Sequence, residues 1–270
     1  MKHIISTLAL FCCAAALSAA EPLFRGENLS DFQGLPAGKA EMSGGILKIE
    51  KNDKRSVITT KEFFPVDPEK GYEFSCLVRA DEKVSKAGFR GVVMGVVCCD
   101  AKGRKIGPVE VLTKPELTAE LAEPVKAGAK TLLVRDASLW NAQNGFVVFD
   151  ARKDMSDLPN GNRIRIAKIK RKDDLWEITL DRSLRCGYRA GALVRNHFDG
   201  AIYLCAKGGR FHKERWVPVK LVLKGIAAQG EMGNSGKFRA GTVKAGLVFL
   251  TGPKLNETFE LKDIRITPVE

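Results

Sequence analysis

Aromatic side chains are scarce in this chain, at 7% of residues, with three Trp and three Tyr. A surface paved with stacking rings is therefore not written into the composition, and any ring that meets a ligand has to be found singly. Histidine is scarcer still: after the first twenty residues only His197 and His212 remain. With Cys205 between them they form His-x7-Cys-x6-His, which fits no common zinc spacing. The stretch "GNSGK", Gly233 to Lys237, has neither the Gly-x-Ser-x-Gly elbow of a hydrolase nor the spacing of a phosphate loop, and reads as a turn. Cys76, Cys98, Cys99, Cys186 and Cys205 form an odd, irregular set, which is a poor disulfide framework in a chain long enough to build a core. Helical periodicity is nearly missing. No apolar run beyond the amino terminus approaches the ~20 residues that span a bilayer.

What is there begins with "MKHIISTLALFCCAAALSAAEP": Lys2, an apolar run from Ile4 to Leu17, and Ser18 and Ala20 at the −3 and −1 places of a cleavage site. This reads as a secretory signal peptide over residues 1–20, too short for a membrane span. Phe11 is too large to precede a lipidated Cys12. Export follows, to the periplasm, the exterior or the cell surface. The net charge of +12 favours encounter with acidic polymers and describes a solvated basic surface, without bearing on fold. Nucleic acid is not an expected partner.

The remainder is cut into short runs rich in Val, Ile, Phe and Thr, the pattern of an all-β sandwich or barrel. In "GYEFSCLVRA" Tyr72, Phe74, Cys76 and Val78 share one face, so one side is buried. "RGVVMGVVCCD" is apolar on both parities and reads as a central strand covered on both sides. Its terminal Cys98 and Cys99 then point to opposite faces and cannot share one metal. "KPELTAELAEPV" is the one helix-like stretch, with Leu117 and Leu121 four apart; Pro124 stops it, leaving a connector. Between about Leu112 and Asn196 strands shorten and turns crowd, which suits a small closed β-barrel. The expected organisation is a β-sandwich from 21–112 and 197–270, with residues 113–196 inserted as the barrel.

The outer segments resemble family-4/9-type carbohydrate-binding modules and their galactose-binding-like jelly-roll relatives. Lys70-Gly71-Tyr72 open a strand, Asp100-Ala101-Lys102-Gly103 shape a hairpin, "ERWVPVKLVLKG" is similar to a tryptophan-led strand, and "FELKDIRITPVE" to the closing strand. The resemblance implies a jelly roll over roughly residues 21–112 and 197–270, and sugar binding by exposed rings. It also implies, for some relatives, a structural calcium near the closing strand, where Asp263 matches an acidic position; no ligand set assembles around it, and no cofactor is expected.

Among the rings, Trp140 and Trp216 read as core anchors, while Trp176, beside the Asp173-Asp174 turn, and Tyr188, in the glycine-flanked "CGYRAG" loop, read as exposed. They are the sugar-stacking candidates, with Tyr203 as the outer-domain alternative. "RIRIAKIKRK", Arg163 to Lys172, reads as a solvated strand face that discourages edge pairing, with a parity change near Ala167 that implies a bulge or strand end. Its functional alternative is a contact strip for acidic glycans or other polyanions. The Asp and Glu residues fall mostly in turns, which does not assemble the facing carboxylate pair of a glycosidase. The expectation is a secreted, non-catalytic carbohydrate-binding or cell-surface accessory module with a polysaccharide or glycan partner, acidic glycans being among the candidates. A structural or adhesive protein, and more remotely a polysaccharide hydrolase, are the alternatives.

Overall fold

The computed structural model describes residues 20–50, 56–80, 92–208, 210–231, 236–251 and 258–270. Residues 1–19, where a signal peptide is expected, lie outside the described residues, as do the first three residues of "GNSGK". The described chain is all-β. Its strands are β1 (Phe24–Arg25), β2 (Phe32–Gln33), β3 (Ala40–Ser43), β4 (Ile46–Ile49), β5 (Val57–Thr60), β6 (Phe64–Pro65), β7 (Gly71–Ala80) and β8 (Val92–Cys99). Then come β9 (Thr118–Glu120), β10 (Thr131–Val134), β11 (Gly145–Phe149), β12 (Arg163–Lys172), β13 (Leu175–Leu180) and β14 (Leu193–Phe198). The last five are β15 (Leu204–Cys205), β16 (Lys207–Gly208), β17 (Val217–Lys224), β18 (Lys244–Thr251) and β19 (Phe259–Val269).

Two antiparallel sheets pack as a sandwich. One runs β16-β17-β7-β19-β4-β3, with β1 on β19; the other runs β15-β8-β18-β5-β2, with β6 on β18. Period-two alternation drives the packing: Phe74, Cys76 and Val78 of β7 meet Met94, Val96 and Cys98 of β8 in one core, and the Cys76 Sγ lies 3.5 Å from the Met94 Sδ. Each large apolar side chain sealed there, such as Phe74 or Phe249, contributes roughly 2–3 kcal/mol of burial free energy. The opposite parity of β8 is covered too, since Val97 packs with Val248, Leu250 and Tyr203 behind the second sheet. Cys98 and Cys99 are both free and buried, and burial pushes both thiols above their ordinary range. The hairpin after them forms as its residues imply: Asp100 Oδ1 accepts from the amides of Lys102 and Arg104, and Gly103 takes φ +75°.

The third sheet runs β10-β13-β12-β11-β14-β9 over a separate core that includes Leu121, Val134, Val147, Phe149, Ile178 and Val194. It curls until its outer strands touch at a single bridge, Leu121 to Val134, flanked by Arg135 N donating to Glu120 O at 3.0 Å and Ala122 N to Leu133 O at 2.9 Å. That is short of the continuous ladder of a closed barrel. The sheet is tied to the sandwich beside Pro108–Glu110, a one-turn 3-10 segment: His197 Nδ1 donates to Val109 O at 2.8 Å and Phe198 N to Leu112 O at 2.9 Å.

Two local expectations need correction. The helix-like stretch becomes a single 3-10 turn, Pro115–Leu117, followed by β9, because two leucines without a continuing apolar stripe cannot hold a helix. Trp216 is not a core anchor: Val217, Val219 and Leu223 take the inward parity of its strand, leaving the indole half-buried on the outer face. Arg79 and Lys262 lie over it, 4.7 and 4.5 Å from the ring centroid. β12 pairs with β11 only over Arg163–Arg165 and with β13 from Ile166 to Lys172, so beyond Arg165 one of its sides has no strand partner among the described residues, and its lysines do flank an open strand side.

Candidate functional site

The antiparallel pairing of β11 with β12 sets Val148 opposite Arg163, so the end of one strand and the start of the other open together at one end of the third sheet. Phe149 closes β11, and the ring of Tyr188 stacks on it with centroids 4.5 Å apart and planes 17° from parallel. The Tyr188 backbone is anchored by two hydrogen bonds with Val125, of 2.8 and 2.9 Å. Glycine at 187 permits that approach, since a Cβ there would lie 2.9 Å from the Val125 carbonyl oxygen. The Tyr188 hydroxyl accepts from Asn162 Nδ2 at 3.1 Å, and the same amide donates to Asp150 Oδ2 at 2.7 Å. Burial, and then a hydrogen bond with Cys186, pushes the phenol up to about 12. At neutral pH it keeps its proton.

Tyr188 lines a recess of about 140 Å³ whose polar rim is Asn162, Arg163, Arg182, Arg185 and Cys186. Arg182 Nη2 donates to the Arg163 carbonyl oxygen at 3.0 Å, and Arg163 Nη1 to Glu110 Oε1 at 3.2 Å. Arg185 is exposed and meets no carboxylate among the described residues. No Asp or Glu lines the recess. Three guanidinium groups make a set of donors for an anion beside an uncharged phenol, and guanidinium geometry suits carboxylate and sulfate oxygens. The volume is below the ~300–1,000 Å³ of pockets that enclose a drug-sized ligand, so it accommodates one anionic substituent with the rest of the ligand outside.

The other candidate rings stand elsewhere. Trp176 is half-buried against the third sheet's core, because it shares the inward parity of Ile178 and Leu180 and sits at the start of β13, away from the recess. The expectation of exposure fails there. Tyr203 is 9% exposed, packed behind β8 and β18, and lines a second, mostly apolar cavity of about 300 Å³ with Leu204, Leu221 and Phe238. Buried Arg239 beside it spends its donors on the carbonyl oxygens of Ile106, Ile202 and Ala201, at 2.6, 2.8 and 2.5 Å, and so clamps two loops. The three rings do not form one platform.

Asp263 pairs with Arg265 at 3.1 Å. Among the described residues no group of three or more His, Cys, Asp or Glu is placed to hold a metal ion. No helix among them is long and apolar enough to cross a membrane. Arg182, Arg185 and Asn162 escaped sequence reasoning, although "DRSLRCGYRAG" does set basic residues on both sides of Tyr188 within a glycine-bounded loop. No family model, curated protein or solved structure matches the chain.

Proposed function

We propose that this protein is an exported, non-catalytic glycan-binding module whose ligand carries an acidic group, taken by the recess around Tyr188. The observation that carries the reading is Arg185, which meets no carboxylate among the described residues, beside Arg163, Arg182 and the protonated Tyr188 hydroxyl, with no carboxylate in the lining. The resemblance of the outer segments to carbohydrate-binding jelly rolls supports the ligand class, and the amino-terminal leader supports export. Tyr188 supplies a ring edge and an uncharged hydroxyl, while its stacked face is already occupied by Phe149. Recognition is then led by charge and hydrogen bonds more than by ring stacking.

The test is binding of the mature chain to immobilised acidic and neutral polysaccharides, repeated with Tyr188→Ala and Arg185→Ala. Retention on the acidic members and at least a tenfold loss in Arg185→Ala is the expected result. Failure to retain any acidic polysaccharide removes the reading.

A further inference from the structure

β12 carries Arg163, Arg165, Lys168, Lys170 and Lys172, and simple alternation would not place them together. Counting by twos from Arg163 reaches Ala167 and then Ile169, which would send Lys168, Lys170 and Lys172 inward. The pairing with β13 shows what happens instead: Ile166 lies opposite Leu180 and Lys168 opposite Thr179, so two steps on β12 match one on β13 and Ala167 is the extra residue of a bulge. Past the bulge Ile169 faces Ile178 inside, while Lys168, Lys170 and Lys172 rejoin the outward face of Arg163 and Arg165. Five cations therefore share one face. Alternate residues lie about 6.6 Å apart along a strand, which gives a row roughly 27 Å long.

The row begins at Arg163, a lining residue of the recess. Arg163 is engaged by Glu110, and Lys172 lies 3.9 Å from Glu177. Between them Arg165, Lys168 and Lys170 are exposed and form no ion pair among the described residues. Lys168 and Lys170 lie on the half of β12 that pairs with β13 alone, so they border an open strand side as well as the solvated sheet face.

We propose that this face is a track for a linear acidic polysaccharide, one of whose acidic groups enters the Tyr188 recess while the following ones lie along Arg165, Lys168 and Lys170. The inference rests on the glycan-binding reading and adds to it a polymeric ligand and its direction across the sheet. Charge complementarity selects a polyanion, and the scarcity of rings selects a glycan over single-stranded nucleic acid, which uses successive aromatic platforms. The Trp176 indole takes the inward parity, and the outward ring near the row is Phe146, half-buried opposite Arg165.

The experiment compares the mature wild type with an Arg165→Ser, Lys168→Ser, Lys170→Ser variant, in heparin, polygalacturonate, neutral dextran, galacturonic acid and duplex DNA at several salt concentrations. Exposed strand positions tolerate serine, and a matched thermal transition shows that the variant is folded. The expected result is at least a tenfold loss for heparin or polygalacturonate, a shallower salt dependence, and unchanged weak binding of the monosaccharide. Heparin against polygalacturonate separates sulfate from carboxylate recognition. Unchanged affinity of the variant for both polymers, or tighter binding of DNA than of either, overturns the track. If the monosaccharide binds and the polymers bind no tighter, the track fails while the module reading stands. If no acidic glycan binds the wild type, both fall.

Discussion

Arg195 and Asp157 meet inside the protein: the guanidinium Nη2 donates to the carboxylate Oδ2, with the two side chains 0% and 6% exposed. The rest of the guanidinium is occupied as well, by the Arg152 carbonyl oxygen at 3.0 Å and by His197 Nε2 at 3.1 Å. Burial alone would raise the Asp157 carboxyl, but hydrogen bonds from Arg195, Asn160 and the Arg152 amide outweigh it and hold the group below the usual range. Removing the carboxylate leaves a cation in the interior. Asp157→Ala is therefore expected to cost about 3–5 kcal/mol in urea unfolding. Glu120→Ala, which loses looser, more exposed pairs with Arg135 and Lys153, should cost no more than about 1 kcal/mol. Equal losses in the two would show that the interior pair is not special.

The same cluster predicts an acid-labile fold. His197 is wholly buried, donates from Nδ1 to Val109 O and accepts at Nε2 from Arg195, which requires the neutral ring. Burial lowers its pKa to about 4, the Val109 bond opposes that, and the adjacent Arg195 deepens it. The unfolded chain binds the proton more readily, so the contribution of neutral His197 is complete above pH 6.5 and is lost as pH falls toward 4. Asp157, held below its ordinary value, adds a loss at still lower pH in the same direction. The expected decline between pH 6.5 and 4 is about 3 kcal/mol from His197. Thermal transitions across that range, compared with His197→Gln, check it; an identical slope in the variant would assign the lability to other groups.

Much of the sandwich was legible because β7 and β8 announce themselves by alternation and by apolarity on both parities, signals that survive without any knowledge of partners. The third sheet was legible as a β module, but its curl depends on one bridge between Leu121 and Val134 that no local pattern encodes. The site was legible only in part. Tyr188 stands out by its glycines, whereas Arg182 and Asn162 reach it from separate turns, and Trp176 was misplaced because turn proximity was weighed above strand parity. The parity change near Ala167 left a bulge or a strand end open in the sequence; the register decides for the bulge, and with it for a basic row on one face.

Thiol chemistry should separate the cysteines by burial. Cys76, pushed up to about 12 by burial, and Cys98 and Cys99, raised by the same cause, should resist a thiol reagent in the native state at pH 8. Cys186 is exposed beside Tyr188 and should react first, with half-buried Cys205 slower. A native count of one fast thiol, rising to five in denaturant for the chain after residue 20, is expected. Two fast thiols mapped to Cys98 and Cys99 would overturn their assignment to the scaffold. Acidic polysaccharide should slow Cys186 labelling, because the thiol lines the recess.

Gly145 offers a sharper stability contrast than any core truncation. It opens β11 where the chain from Asn141 turns against β14, and a Cβ there would lie 2.0 Å from the Asn141 carbonyl oxygen and 3.1 Å from Asn196 Nδ2. Asn196 is itself committed, its Oδ1 accepting from Asn141 N at 3.0 Å and its Nδ2 donating to Phe146 O at 3.3 Å, so neither neighbour yields cheaply. Gly128, by contrast, has φ +87° but open space around its Cβ position. Gly128→Ala then carries only the left-handed backbone cost of about 1–2 kcal/mol. Gly145→Ala forces backbone movement, at about 3 kcal/mol or more. Because β11 ends in Phe149, the surface on which Tyr188 stacks, that movement should also reach the recess. Folded Gly145→Ala protein should bind acidic polysaccharide more weakly, whereas folded Gly128→Ala protein should match the wild type. Equal stability of the two variants would show that the close approach at Gly145 relaxes without consequence.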